Sequence, residues 1–578
     1  MCSKEENMNK KVLINGKFYT ENPLMPWAEG VVIEGKNIAF VGSNEAAKAY
    51  ALANGNDFEI TDLAGRTVLP GLIDGHSHPA MIAKDGWVVS GDDVAQTKED
   101  VFSAIKQCIK DYPPEKKPYL VYSYYSDEAV FGGFGPTIED LQTLDEITGN
   151  RPVRINDDTG HGCWYNSCAL NMLKGPDGIP TSESPISGVT FVQDENGAYT
   201  GRALQTFHSG DIGVFEAINW RPSDCMNDEN APQFFDISRH YGVTCIMEAG
   251  VGTNDADMEY LFELDKAGKL NMHYEACSLL SDINSIDEAI ERARRWQEKY
   301  TTDHIRTNII KFFGDGSNEF GDVLSTEPFP CNPDTCGACN CTVEQMRDVM
   351  VRLNQEGLDL HMHTVCDGTI RVMLDACEQA QKICGKDWKI RVTLAHCEII
   401  HPDDIPRFKE LGVWVDWTPS WGGDPALEII PFLGKDRWAK TQDYSQIMKD
   451  ADIVGFSTDE ISPIDAAFLS PFRGIQIGIT RIRPDIEPSL EYYPNGFRDP
   501  ERAKMTLKQM IHGFTMTNAK RMRLDHLMGS IEVGKLANLV VLEDDIFIMP
   551  VDAIQDIEIF GTYFEGKELH IPNPLIEG

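Results

Sequence analysis

Residues 69–79 read LPGLIDGHSHP, and the placement of their polar groups decides the fold. An apolar run from Leu69 to Ile73 leads into Asp74, and then into His76 and His78 at a spacing of two. Alternate side chains of an extended strand share a face, so the two imidazoles point the same way. They are close enough to hold one divalent ion at about 2.0–2.1 Å. Gly75 is expected to let the chain pass close to that ion, and Pro79 to end the strand. An HxH pair by itself is a weak pattern. Its position behind an apolar strand strengthens it, because barrel enzymes gather active-site residues at the C-terminal ends of their strands.

Four later segments repeat the arrangement of an apolar run that ends in a ligand-type side chain. They are IIKFFGDGS with Lys311, LDLHMHTVCDG with His363, RVTLAHCEII with His396 and DIVGFSTDE with Asp459. Each has an ordinary reading when taken singly: a lysine reaching a surface carboxylate, two core histidines, a helix N-cap. Recurring in this order at successive strand ends, they point to one site. The segments between them alternate strand-like and amphipathic runs, as repeated βα units do. In one unit Thr342 and Gln345 form a capping box, Met346, Val349, Met350 and Leu353 follow at helical spacing, and Gly357 stops the helix. The strand after it alternates Leu358, Leu360 and Met362 with Asp359, His361 and His363, which puts both histidines on one face.

Residues 11–68 and the C-terminal stretch share short alternating runs broken by glycines. They predict a small antiparallel β unit, completed as one sandwich by the two termini, 1–68 with 526–578. The barrel is then expected over 69–525. Residues from about 85 to 240, rich in Gly, Pro, Tyr and Asp, break the repeat and read as an insertion, with DENGAYTG as a hairpin turn.

The chain has 578 residues, with 91 acidic against 52 basic, a formal net charge of −39. Such a surface repels phosphate backbones and anionic lipid, which argues against nucleic-acid and membrane partners. The opening MCSKEENMNKK is too polar for a secretion signal, and no run approaches the roughly 20 apolar residues of a membrane helix. Fifteen scattered cysteines, an odd number, fit free thiols in a reducing compartment, so a cytoplasmic location is expected. Four of them, Cys331, Cys336, Cys339 and Cys341, fall within eleven residues and could close a structural zinc site, although their spacing departs from paired CxxC knuckles. Free loop thiols are the preferred reading.

The ordered series PGLIDGHSHP, TGHGCWYNSCAL, IKFFGDGS, HMHTVCDG, LAHCEIIHPDDIPRFKELGV, GFSTDEISP and GSIEVGKLANLVVL resembles the amidohydrolase superfamily of metal-dependent hydrolases. In detail it is similar to the branch that includes N-substituted formamide deformylase. The resemblance implies an α/β fold: a distorted (β/α)8 TIM-like barrel, a small β-sandwich made by both termini and a cap inserted after the first barrel strand. It implies one or two divalent ions, zinc foremost. His76, His78 and Asp459 would bind the first ion, Lys311 would bridge as a carboxylated lysine, and His363 and His396 would hold the second.

The implied activity is hydrolysis of an amide-type C–N bond, other than a peptide bond, in a small organic substrate by hydroxide on the metal. Asp459 is expected to act as general base, because a carboxylate beside that hydroxide can accept its proton and later pass it to a departing amine. His161, in the cap, is expected to contact substrate or the developing oxyanion, or else to pack beside Trp164. Asp315 and Asp367 stand at matching strand-end loops as caps or partners of ligating histidines, and Glu248 replaces an expected aspartate. A homodimer follows from the resemblance alone. Two other activities stay open at this point: a lyase, hydratase or isomerase at the same site, or a silent binding protein on the same fold. Aromatic residues including Trp87, Phe134, Trp164, Trp417 and Trp421 suggest an apolar substrate portion, or packing between cap and barrel.

Overall fold

The computed structural model describes residues 10–571 except 56, 85–86, 159–160, 174–189, 205–210, 224, 319–320, 426–429, 431–432, 451, 461–465, 487, 491 and 570. Eight strands form its central sheet: β1 (Leu72–Ser77), β2 (Val243–Glu248), β3 (His273–Leu280), β4 (Ile305–Phe313), β5 (Asp359–Thr364), β6 (Val392–His396), β7 (Trp414–Trp417) and β8 (Val454–Phe456). They lie side by side in chain order and all pair in parallel. Parallel strands between layers are buried on both faces, which is why every residue of β5 is buried, polar and apolar alike.

The helix before β5, Val343–Glu356, starts at the Thr342–Gln345 capping box and ends at Gly357 with φ 71°. Its Met346, Val349, Met350 and Leu353 are buried and join the main core with Leu360 and Met362. The alternate residues of the strand, His361 and His363, are left for the other face.

β8 and β1 are the two edges of this sheet, so the barrel closes through side chains and a main-chain bond past the end of β8, not through a ladder. Asn518 Nδ2 donates to the carbonyls of Ile73 on β1, at 2.8 Å, and Phe456 on β8, at 2.7 Å. Just beyond the strands the Asp459 amide donates to the His76 carbonyl at 3.0 Å, and the Thr458 amide to Asp74 Oδ1 at 3.0 Å. The result is a distorted TIM barrel.

A second, mixed six-stranded sheet, from Val89–Ala95 to Tyr199–Leu204, is inserted between β1 and β2. Asp194–Ala198 makes the hairpin turn expected from DENGAYTG, with Gly197 at φ 79°. The chain ends build two further sheets. In one, Leu539–Leu542 pairs antiparallel with Thr67–Pro70. In the other, Lys10–Ile14 lies between Gly30–Glu34 and Phe58–Asp62. Leu13, Val31 and Ile33 of the second sheet share a core with Phe18, Val68, Leu539 and Val541 of the first.

The expected antiparallel pattern needs correction here. Lys10–Ile14 runs parallel to Phe58–Asp62, and Lys17–Tyr19 parallel to Thr67–Pro70, because connecting segments carry the chain back to the same end before each pair forms. No helix among the described residues is long and apolar enough to cross a membrane.

Candidate metal centre

His76 lies near the end of β1 and His78 directly follows it, with their side chains 1% and 6% exposed. Their Nε2 atoms stand 3.5 and 3.1 Å from Oδ1 of Asp459, which follows β8 across the barrel seam. Ligand atoms of these three residues lie within 4.8 Å of one another. Asp459 reaches in through a left-handed backbone, φ 47°, and His396 sits at φ 71° where β6 ends. Such conformations cost non-glycine residues on the order of 1–3 kcal/mol and persist where surrounding contacts hold them.

The remaining strand-end residues surround this group. Lys311 Nζ, on β4, is 3.2 Å from His76 Nε2, and His396 Nδ1 is 3.5 Å from Asp459 Oδ2. The His363 ring centroid is 4.5 Å from that of His396, while its Nε2 contacts the Gly316 carbonyl at 2.9 Å. From the insert, His161 brings its ring to 5.5 Å from His363, and Trp421 stacks on His396 at 4.8 Å.

The surroundings keep the imidazoles in their ligating form. Burial, and after it the positive neighbours, Lys311 among them, hold His76, His363 and His396 well below the usual imidazole range. They are therefore neutral, the form that donates a lone pair to a metal. Nδ1 of His78 and both ring nitrogens of His396 make no hydrogen bond although buried. Buried imidazole nitrogens without partners beside a carboxylate match the donor set of a zinc-type ion. Burial also lowers Lys311 to about 8, against the opposing pull of Asp459.

The other expected residues have different places. Glu248 accepts from the amides of Ala80 and Gly250 and from the Tyr274 hydroxyl, so it ties down the turn after His78, whose Nδ1 is 4.0 Å away. Asp315 accepts from the amides of Val365 and Cys366, and Asp367 from that of Thr326; both tie loops at strand ends. Trp417 and Trp164 are core residues, the first with its Nε1 on Gln442.

One expectation is corrected. Gly75 does not clear the chain past an ion: a Cβ there would meet Arg521 Nη2 at 2.2 Å and Asp416 Oδ2 at 2.5 Å. The close approach is to a buried ion pair under the site. For Cys331, Cys336, Cys339 and Cys341 the preferred reading is free loop thiols, with a structural zinc site as the other. Among the described residues His76, His78 and Asp459 are the group of three that could hold an ion, and these four cysteines are free thiols spread from exposed Cys331 to buried Cys341.

His361, Arg521 and Asp416 were not singled out from sequence as site residues. The alternation of HMH does place His361 on the face of His363. Nothing in the pattern around Arg521 shows that it reaches the barrel interior.

The fold and this centre define a barrel with a candidate divalent-metal site at the strand C-termini. The chain belongs to the Amidohydrolase family, whose model matches residues 59–570. Among curated relatives, N-substituted formamide deformylase of Arthrobacter pascens is 23% identical, the alignment covering 97% of this chain and 98% of the relative. The exoenzymes regulatory protein AepA of Pectobacterium carotovorum subsp. carotovorum is 26% identical, over 70% of this chain and 84% of its own. A solved structure of an uncharacterized metal-dependent hydrolase from Pyrococcus furiosus shares the fold, with a TM-score of 0.64 at 22% identity, over 93% of this chain and 99% of that one.

Proposed function

We propose that this chain hydrolyses an amide-type C–N bond, N-acyl, N-formyl or related, in a small organic substrate, with a divalent ion, zinc foremost, as cofactor. The observation that carries the reading is the convergence of His76, His78 and Asp459 at one rim of the barrel, ringed by neutral buried imidazoles. The family membership and the formamide deformylase among the relatives point to the bond.

His76, His78 and Asp459 would hold the first ion; Lys311, carboxylated, would bridge to a second held by His363 and His396. Carboxylation consumes a neutral amine, and burial brings Lys311 toward that form. A divalent ion bound there supplies Lewis acidity, lowering the pKa of water and polarising a carbonyl.

The chain's own groups do the rest. Asp459 takes the proton of the attacking water and gives it to the departing amine. His161 lies over His363, where a donor can meet the oxygen that gains charge in the transition state. Trp421, flat against His396, and Phe313, beside His363, offer apolar walls to the substrate. The enzyme would work in the cytoplasm on a free small molecule, with neither nucleic acid nor membrane as partner, and as a homodimer.

The test is turnover of an amide and formamide panel in ¹⁸O-labelled water by zinc-loaded protein and by Asp459→Asn. Label in the product acid and a fall of roughly 10²–10⁴-fold in the variant are expected. Equal turnover by the two proteins, or product without label, sinks the reading.

A further inference from the structure

β5 brings a histidine into the barrel that belongs to no proposed ligand set. His361 is 1% exposed, and its Nε2 lies 2.9 Å from Nδ1 of His76, the ring nitrogen opposite the one that faces Asp459. On its other side, His361 Nδ1 meets Nη1 of Arg521 at 3.4 Å. Arg521 is itself fixed on several sides. Its Nη2 donates to the Gly75 carbonyl at 2.7 Å and to Asn518 Oδ1 at 3.2 Å, and its guanidinium pairs with Asp416 of β7. Both partners of that pair are buried, and Asp416 also accepts from the Ser457 hydroxyl. One line of contacts thus runs Asp416–Arg521–His361–His76 beneath the candidate metal centre.

A strand fixes where a histidine's Cβ lies but leaves the ring free to turn about χ2, a broad, soft torsion. A ligand ring therefore needs a second contact on its far nitrogen. For His78 no hydrogen bond fills that role, whereas for His76 His361 does. The room for this line is built into the sequence. Gly75 admits Arg521 and Asp416, and Gly455 admits Asn518, whose Oδ1 would lie 2.1 Å from an added Cβ.

We propose that His361 is the positioning residue that sets the ring plane of His76, accepting at Nε2 the Nδ1–H that His76 carries when its Nε2 faces an ion. This rests on the reading that His76 holds a divalent ion.

The experiment strips the full-length protein of metal and titrates it with zinc against a chromophoric chelator. It compares wild type with His361→Leu and His361→Gln, and records the melting temperature of each apo form. Glutamine carries both a donor and an acceptor at the end of its side chain, so it can serve whichever nitrogen of the pair bears the proton. Leucine fills space and offers neither.

His361→Leu is expected to weaken zinc binding about 10–100-fold, and His361→Gln to recover at least half of that loss on a logarithmic scale. Packing alone would move the two variants together, so equal losses, or no loss in either, overturn the inference. Wild type that takes up no divalent ion overturns the metal reading and this inference with it, an outcome distinct from wild type and His361→Leu binding alike. Should His361→Leu not fold, ¹⁵N-histidine spectra of zinc-loaded wild type decide. Coupling across the hydrogen bond between His76 Nδ1 and His361 Nε2 supports the inference, and its absence overturns it.

Discussion

Asp459 serves the proposed chemistry twice, as an expected ligand with one oxygen near both His76 and His78, and as the carrier of a proton. Around it, the residues that stood out in the sequence are those whose position follows from strand alternation: His76, His78, His363 and His396 each close an apolar run. The residues beneath them were not legible. Arg521 and Asn518 come from a helix beyond β8 that follows a π-helical turn at Gly513–Thr517, and Gly75 and Gly455, distant in sequence, leave the space they occupy. That clearance is testable. Gly75→Ala forces a methyl against the Arg521–Asp416 pair and should cost about 1–3 kcal/mol in chemical denaturation, as overpacked cores do. A loss below a few tenths would mean that the pair moves aside freely.

At the scale of elements, the barrel's weak line is the seam between β1 and β8. A continuous ladder would satisfy these edges with main-chain bonds, but here one carboxamide meets the Ile73 and Phe456 carbonyls. Removing it in Asn518→Ala leaves two buried acceptors short and should destabilise the protein by on the order of 2–5 kcal/mol. Amide hydrogen exchange should quicken first in β1 and β8; uniform quickening across the barrel would contradict the seam.

Local rules act more gently elsewhere. Thr342→Ala removes the hydroxyl that accepts from the Gln345 amide and should cost about 1 kcal/mol, read from the denaturation midpoint. The helix it caps was legible to the residue, since capping box, periodicity and terminal glycine all lie within sixteen consecutive residues. The parallel pairs of the terminal sheets were not, because a strand's sequence states its pleat but not its neighbour.

Across the whole molecule, two histidines clasp segments of the terminal sheets to the barrel. His304, just before β4, lies between Glu565 of the C-terminal hairpin, 3.4 Å from its Nε2, and Asp265, hydrogen-bonded to its Nδ1 at 2.6 Å, and these carboxylates raise it to about 9. His512 lies between Glu21 and Asp452; burial alone would lower it, but the two carboxylates outweigh burial and bring it to about 9 as well. A pKa raised on folding stabilises the protein fully below the unfolded value near 6.5, and that stability is lost as pH rises through about 9. Denaturation midpoints should therefore fall between pH 7 and 9.5. The fall should be smaller in His512→Gln and smallest in the double variant with His304→Gln; an unchanged slope in the double variant would contradict the clasp.

The pairing of Val68 with Val541 also sets a schedule for synthesis. About 470 residues separate them, so at 5–20 residues per second the earlier strand waits on the order of 25–95 s for its partner to be made. During that wait a nascent chain carries half of an apolar sandwich uncovered, a natural hold for a chaperone at the ribosome exit.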